Sequence, residues 1–284
     1  MKIIESPREG LQSVHQVVPA NEKIRYINQL LRVGFDTIEA GSIVSPKLIP
    51  QLADTREVIM GLDTEGSRSR IMVLVGSPKG AEMACEIPGI THISYPFSVS
   101  ATFLKQNLNV SPGQSLSDLG RIINRCSVSG KEAVIYISMA FGNPYGDPWN
   151  EELLAEAVEQ LAGLGAEIIP LSNVAVEIDD PVIRKIFSLL VPSFPGIEFG
   201  LHLHTSSDGI AAKLSAAWES GCRRYDSVIG GHGGCPMSGR EMLGNLKTED
   251  LLAFAITRSA DTGIVADEFR NASGISTEIF ARLI

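Results

Sequence analysis

The stretch Ile197-Glu198-Phe199-Gly200-Leu201-His202-Leu203-His204 reads as a buried β-strand. A polar turn follows, and Asp208 is placed to cap a helix that carries Leu214, Ala217 and Trp218 on one face and stops at Gly221. A second β-rich run, Arg224–Ile229, begins three residues later. Strand, helix and strand in this order make a crossover unit, and a helical crossover lays its two strands parallel.

The same alternation runs through the rest of the chain. Candidate strands are Lys2–Glu5, Asp36–Gly41, Arg70–Val75, Ile90–Pro96, Ala133–Phe141 and Glu167–Ser172, in addition to Ile197–His204 and Arg224–Ile229. Ile24, Ile27, Leu30 and Leu31 form a helical stripe ended by Gly34, and Asn150 is placed to cap a helix that buries Leu154, Val158 and Leu161. Eight strands, each followed by a helical pattern, are the number that closes a (β/α)8 TIM barrel, with its active site at the C-terminal ends of the strands. No Pro/Gly/Ser-rich linker divides residues 1–284, so a single barrel domain is expected. A doubly wound open sheet is the alternative, and the chain carries no nucleotide-binding fingerprint to favour it.

Composition narrows the function classes. The formal net charge of −9, without a basic stretch, argues against nucleic acid as a partner, because neutralising phosphates needs clustered Lys and Arg. No apolar run reaches membrane-spanning length. Cys85, Cys126, Cys222 and Cys235 are widely spaced and contain no CxxC, as reduced thiols would be. The first residues show neither a signal core nor an Arg-rich leader, so a cytoplasmic enzyme is expected.

Chemistry-bearing residues gather at predicted strand ends. On a strand, residues two apart share a side, so His202 and His204 face one way and Leu201 and Leu203 the other. Two imidazoles side by side suit one metal ion, and equally suit two structural histidines. Arg8, Glu9 and Gln12 follow the first strand, and Glu39 closes the second. Tyr136 and Ser138 share a face of the fifth, Asn173 follows the sixth, and Asp226 lies in the eighth. Each alone is an ordinary loop or cap residue, but together they ring one rim. Gly230-Gly231-His232-Gly233-Gly234-Cys235-Pro236 has four glycines in five positions, which frees the backbone to close over a ligand. It does not match the phosphate-binding spacing.

In these residues the chain resembles the 3-hydroxy-3-methylglutaryl-CoA lyase family of metal-dependent lyase and Claisen-type barrels. The matching segments are Ser6-Pro7-Arg8-Glu9-Gly10-Leu11-Gln12, Ile38-Glu39-Ala40-Gly41-Ser42-Ile43-Val44-Ser45-Pro46-Lys47, His202-Leu203-His204, Gly233-Gly234-Cys235-Pro236 and Gly244-Asn245-Leu246-Lys247-Thr248-Glu249-Asp250-Leu251. The resemblance implies a divalent metal, Mg2+ or Mn2+, held by Glu9, His202, His204 and Asn245. It also implies Arg8 opposite a thioester enolate, Glu39 as a polar support, His202 as first candidate for the base, and Cys235 as the loop residue of proton transfer. Gln12, Tyr136, Ser138 and Asn173 would then line an acyl-CoA site, in a homodimer.

Three positions depart from the family pattern. Glu9 stands where Asp is usual, Asn173-Val174 where Asp-Thr is frequent, and Thr205-Ser206 where Asp-Thr follows the second histidine. The implied activity is cleavage of 3-hydroxy-3-methylglutaryl-CoA to acetyl-CoA and acetoacetate. The alternatives are the same chemistry on another 3-hydroxyacyl-CoA, a Claisen-type synthase, or an inactive barrel that binds an acyl-CoA or a partner protein.

Overall fold

Eight parallel strands close on themselves in sequence order, the last pairing with the first, in the computed structural model of the chain. The structure describes residues 1–14, 16–174, 176–206, 208–234 and 243–281. The strands are β1 (Lys2–Glu5), β2 (Thr37–Ile43), β3 (Arg70–Val75), β4 (His92–Ser98), β5 (Glu132–Ser138), β6 (Ile168–Asn173), β7 (Glu198–Leu203) and β8 (Arg224–Ser227). Helices between them are α1 (Pro7–Gln12), α2 (Ala20–Val33), α3 (Thr55–Met60), α4 (Pro78–Cys85), α5 (Ala101–Asn107), α6 (Pro112–Val128), α7 (Glu151–Gly163), α8 (Asp180–Ser193) and α9 (Ile210–Glu219). Two more, α10 (Thr248–Thr257) and α11 (Ala266–Ala281), follow β8.

Two layers of apolar packing hold the barrel. Alternate residues of the strands pack outward against the helices, where Ile3, Ile38, Val73, Ile93, Ile135, Ile169, Leu201 and Tyr225 are all buried. The inward set includes a separate small cluster of Ile4, Met72, Val134, Tyr136 and Ile168, which fills the barrel centre. Burying one such aliphatic side chain contributes roughly 1.5–3 kcal/mol. The polar site therefore sits on a packed floor.

Predicted elements are present with shifted ends. Asn150 does cap α7, its side chain accepting from Leu153 N–H at 2.7 Å. Gly34 ends α2 in the left-handed conformation, φ 86°, where a side chain would be strained. Asp208 does not cap α9: the cap position is Gly209, φ 69°, and no side chain bonds the free N–H groups there. The expected strand Ala133–Phe141 stops at Ser138 because Met139 turns to φ 60°. In β2 the pairing with β3 skips one residue between Glu39 and Gly41, a bulge at the point where Glu39 meets the rim.

Candidate active site and metal centre

The first turn after β1 supplies three of the expected side chains. Pro7 opens α1, a six-residue helix, and Arg8 and Gln12 fall four apart on one face of it. Arg8 is almost wholly buried, and four of its five N–H groups are committed. Nε and Nη2 donate to Glu39 Oε2 at 3.0 and 2.6 Å, Nη1 to Gln12 Oε1 at 3.0 Å, and Nη2 also to Glu9 Oε1 at 3.2 Å. Glu39 is steadied in turn by Ser94 Oγ, which donates to its Oε1 at 3.0 Å. The guanidinium is thus fixed in direction and keeps one Nη1 N–H for another acceptor.

Two strands along the wall from β1, β7 and the residue just beyond it bring up the histidines. His202 Nε2 lies 3.2 Å from His204 Nε2 and 3.4 Å from Glu9 Oε2. Among the described residues, Glu9, His202 and His204 form the group of ligand-type side chains whose donor atoms all fall within 4.8 Å of one another. Glu9 Oε2 and His204 Nδ1 are buried with no hydrogen-bond partner. A carboxylate and two imidazoles converging in this way, with the buried Glu9 Oε2 meeting only the His202 ring, at 3.4 Å, among the described residues, suit a divalent cation. Asn245 adjoins them: it forms a β-bridge with His204, and its Nδ2 donates to the His232 carbonyl at 2.8 Å. With the nitrogen so committed, Oδ1 is the atom Asn245 has left for a cation.

The charges sort by proximity. Burial opposes charge on His202, but Glu9 and Asp226 outweigh it and push the imidazole up to about 10. Burial and the neighbouring His202 push His204 down to about 4. Burial would raise Glu9, yet His202 and Arg8 hold it well below the usual carboxylate range. The ion-free cluster is therefore a carboxylate, an imidazolium and a neutral imidazole.

Several expected site residues support others. Tyr136 OH donates to Asp226 Oδ2 at 2.6 Å, and that same oxygen is 2.9 Å from His202 Nδ1. Gln12 holds Arg8. Asn173 is buried, and among the described residues its side chain bonds to the main chain of Val176 and His204. Ser138 is buried at the end of β5, and its carbonyl accepts from Ser98 Oγ at 2.8 Å. Cys235 lies outside the described residues. Just before it, Gly233 (φ 87°) passes so close to α1 that a Cβ there would sit 2.5 Å from the Glu9 carbonyl oxygen. His232 stacks on Phe280 of α11, with ring centroids 4.1 Å apart.

Asp226 is expected at the rim but without a role, and Ser94 is a support that sequence reading did not place in the site. Asp226 is opposite His202 in the β7–β8 register, a signal available once those strands are paired. Ser94 has no sequence signal of its own. A third support is Glu177, whose Oε1 accepts from Thr205 Oγ1 at 2.5 Å and whose Oε2 accepts from Ser206 N–H at 2.9 Å. Lys213 Nζ donates to the same carboxylate.

A family model described as HMGL-like matches residues 1–275. The chain belongs to the HMGL-like family. Hydroxymethylglutaryl-CoA lyase of Bacillus subtilis is 30% identical to this HMGL-like chain over 267 residues, covering 94% of this chain and 88% of that protein. The mitochondrial hydroxymethylglutaryl-CoA lyase of Bos taurus is 30% identical over 266 residues, covering 93% and 81%. Among solved structures, the HMG-CoA lyase of Bacillus subtilis superposes with a TM-score of 0.92 at 29% identity, covering 99% of this chain and 93% of that one. An HMG-CoA lyase from Acinetobacter baumannii, in complex with coenzyme A and 3-methylmalate, superposes with a TM-score of 0.89 at 30% identity, covering 99% and 91%.

Proposed function

We propose that this HMGL-like protein is a carbon–carbon lyase that cleaves 3-hydroxy-3-methylglutaryl-CoA to acetyl-CoA and acetoacetate. The observation that carries the reading is the convergence of Glu9, His202 and His204 within 4.8 Å at the C-terminal rim of a closed barrel, beside a restrained Arg8. The named relatives and the coenzyme A complex of one solved neighbour support the acyl-CoA substrate.

Glu9, His202, His204 and Asn245 would hold the divalent ion, Mg2+ or Mn2+. When bound, it supplies Lewis acidity to the substrate oxygens. The reaction needs four things from the chain. The C3 hydroxyl must lose its proton, the C2–C3 bond must break, negative charge must rest on the thioester oxygen, and C2 must gain a proton. His202 is the first candidate to accept the hydroxyl proton, and it can do so only after releasing the proton that Glu9 and Asp226 hold on it. Ligation and proton transfer at the same Nε2 exclude one another in a single step. Arg8 opposes the enolate charge with its remaining Nη1 N–H, already oriented by Glu39 and Gln12, so no reorganisation is needed as charge develops. Cys235, carried on the glycine-rich loop, would return the proton to C2. Ser138 would line the acyl site. The products follow: a ketone at C3 in acetoacetate, and acetyl-CoA from the protonated enolate.

The same chemistry on a different 3-hydroxyacyl-CoA is the second reading. Asn173 favours it, because the position that frequently carries a carboxylate in the family here offers only an amide, already bonded to main chain. We place the protein in the cytoplasm as a homodimer built from one barrel domain. No helix among the described residues is long and apolar enough to cross a membrane. Incubating metal-loaded protein with 3-hydroxy-3-methylglutaryl-CoA and detecting acetoacetate and acetyl-CoA tests the assignment. Turnover of a bulkier 3-hydroxyacyl-CoA, with none of this substrate, would favour the second reading.

A further inference from the structure

Asn173 ends β6, directly opposite Leu203 in the ladder, so the paired backbone stops one residue short of His204. The Asn173 side chain continues it. Its Oδ1 accepts from His204 N–H at 2.9 Å, and its Nδ2 donates to the His204 carbonyl at 2.7 Å. The second Nδ2 hydrogen goes to the Val176 carbonyl at 2.8 Å. One amide therefore satisfies both backbone groups of His204, as the next residue of a neighbouring strand would.

The other side of the same residue is also held. Thr205 N–H donates to the Gly244 carbonyl at 2.8 Å and Leu246 N–H to the Leu203 carbonyl at 3.0 Å, around the bridge between His204 and Asn245. His204 thus lies between the Asn173 amide and the 244–246 segment. Of its ring atoms, Nδ1 has no hydrogen-bond partner, and Nε2 meets His202 Nε2 at 3.2 Å, on the side where the proposed ion would sit. The direction of the imidazole is set from its backbone.

We propose that Asn173 is a positioning residue that aims His204 at the metal centre, and that the amide is required because it combines donor and acceptor. The inference rests on the metal centre proposed above. Aspartate, frequent here in the family, could accept from His204 N–H but has no hydrogen to give either carbonyl. It would leave the buried His204 O and the partly buried Val176 O without this donor, against a third oxygen. On this account the change towards the family residue damages this protein.

The test is Mn2+ binding, by electron paramagnetic resonance and calorimetry, to the wild-type protein, Asn173→Asp and Asn173→Ser, with folding monitored by thermal melting. Serine removes the paired donor and acceptor without adding charge, so it covers the case in which Asn173→Asp fails to fold. Loss of a group that orients a ligand typically weakens metal binding 10–100-fold, and that is the expected rise in Kd for both variants. Activity should return at saturating Mn2+ with KM near the wild-type value, since the substrate contacts are untouched. Wild-type affinity in both folded variants, with a raised KM instead, would overturn the proposal and make Asn173 a substrate contact. If the wild-type protein itself binds no Mn2+, the metal centre fails, and the positioning role falls with it.

Discussion

His202 Nδ1 sits 2.9 Å from Asp226 Oδ2, with Tyr136 OH 2.6 Å from the same oxygen. The carboxylate accepts a hydrogen bond from Nδ1–H, so it decides which imidazole nitrogen faces Glu9 and His204. Nε2 is that nitrogen. A histidine ligand held by a carboxylate is better aimed and more basic than one left free.

Asp226→Asn is therefore expected to raise the Kd for Mn2+ by about 10–100-fold, with the barrel still folded. Tyr136→Phe should cost less, because the bond between Asp226 and His202 survives. Calorimetric titration of both variants checks this. Equal affinities in wild type and Asp226→Asn would remove the aspartate from the metal centre.

Metal binding should also release a proton. His202 is raised to about 10, His204 is lowered to about 4, and Glu9 is lowered. At neutral pH only His202 must lose a proton to ligate through Nε2. Release should be close to one proton per ion, and affinity should rise by about tenfold per pH unit up to pH near 10. Titrations in buffers of different ionisation enthalpy measure the number. The same pairing stabilises the ion-free protein fully below the ordinary histidine range, and is lost as pH climbs through about 10.

Glu5, which is not one of the proposed metal ligands, predicts a second pH effect. Burial pushes its carboxyl up to about 8, against bonds from Ile229 N–H (2.9 Å) and Thr248 Oγ1 (2.7 Å). The folded protein holds this proton where the unfolded chain, near 4.5, has released it. Stability should fall as pH rises from about 4.5 and level off above about 8. Glu5→Gln keeps one acceptor for Ile229 and gives one donor to Thr248, whose hydroxyl can still reach Ser227 Oγ at 2.9 Å. The variant should match wild type at pH 5 and exceed it by a few kcal/mol at pH 9. Parallel melting curves at both pH values would count against a buried neutral Glu5.

Cys235→Ser should lower kcat and kcat/KM together and leave KM nearly unchanged. A thiol, with an ordinary pKa of about 8.5, donates a proton to an enolate carbon far more readily than a hydroxyl of similar shape. Steady-state kinetics decide it, and an unchanged kcat would take Cys235 out of the reaction.

The repeated strand and helix patterns, together with the end signals at Gly34, Asn150 and Gly221, were enough to lay out eight strand–helix units, because binary periodicity and backbone freedom are local properties. Closure into a barrel, where an open sheet was the alternative, was decided by the pairing of β8 with β1. The His-x-His spacing likewise put His202 and His204 on one side of β7, since a strand alternates whatever it packs against. Tertiary structure decided which polar atoms meet. Tyr136 and Asp226 are 90 residues apart, and closure of the barrel brings their oxygens within 2.6 Å. Asn173 shows the same limit at a strand end, where the sequence cannot distinguish a side chain facing a substrate from one completing a ladder. That choice belongs to the fold, because a buried N–H or C=O takes the nearest partner that three-dimensional packing supplies. Here both groups of His204 found the Asn173 amide.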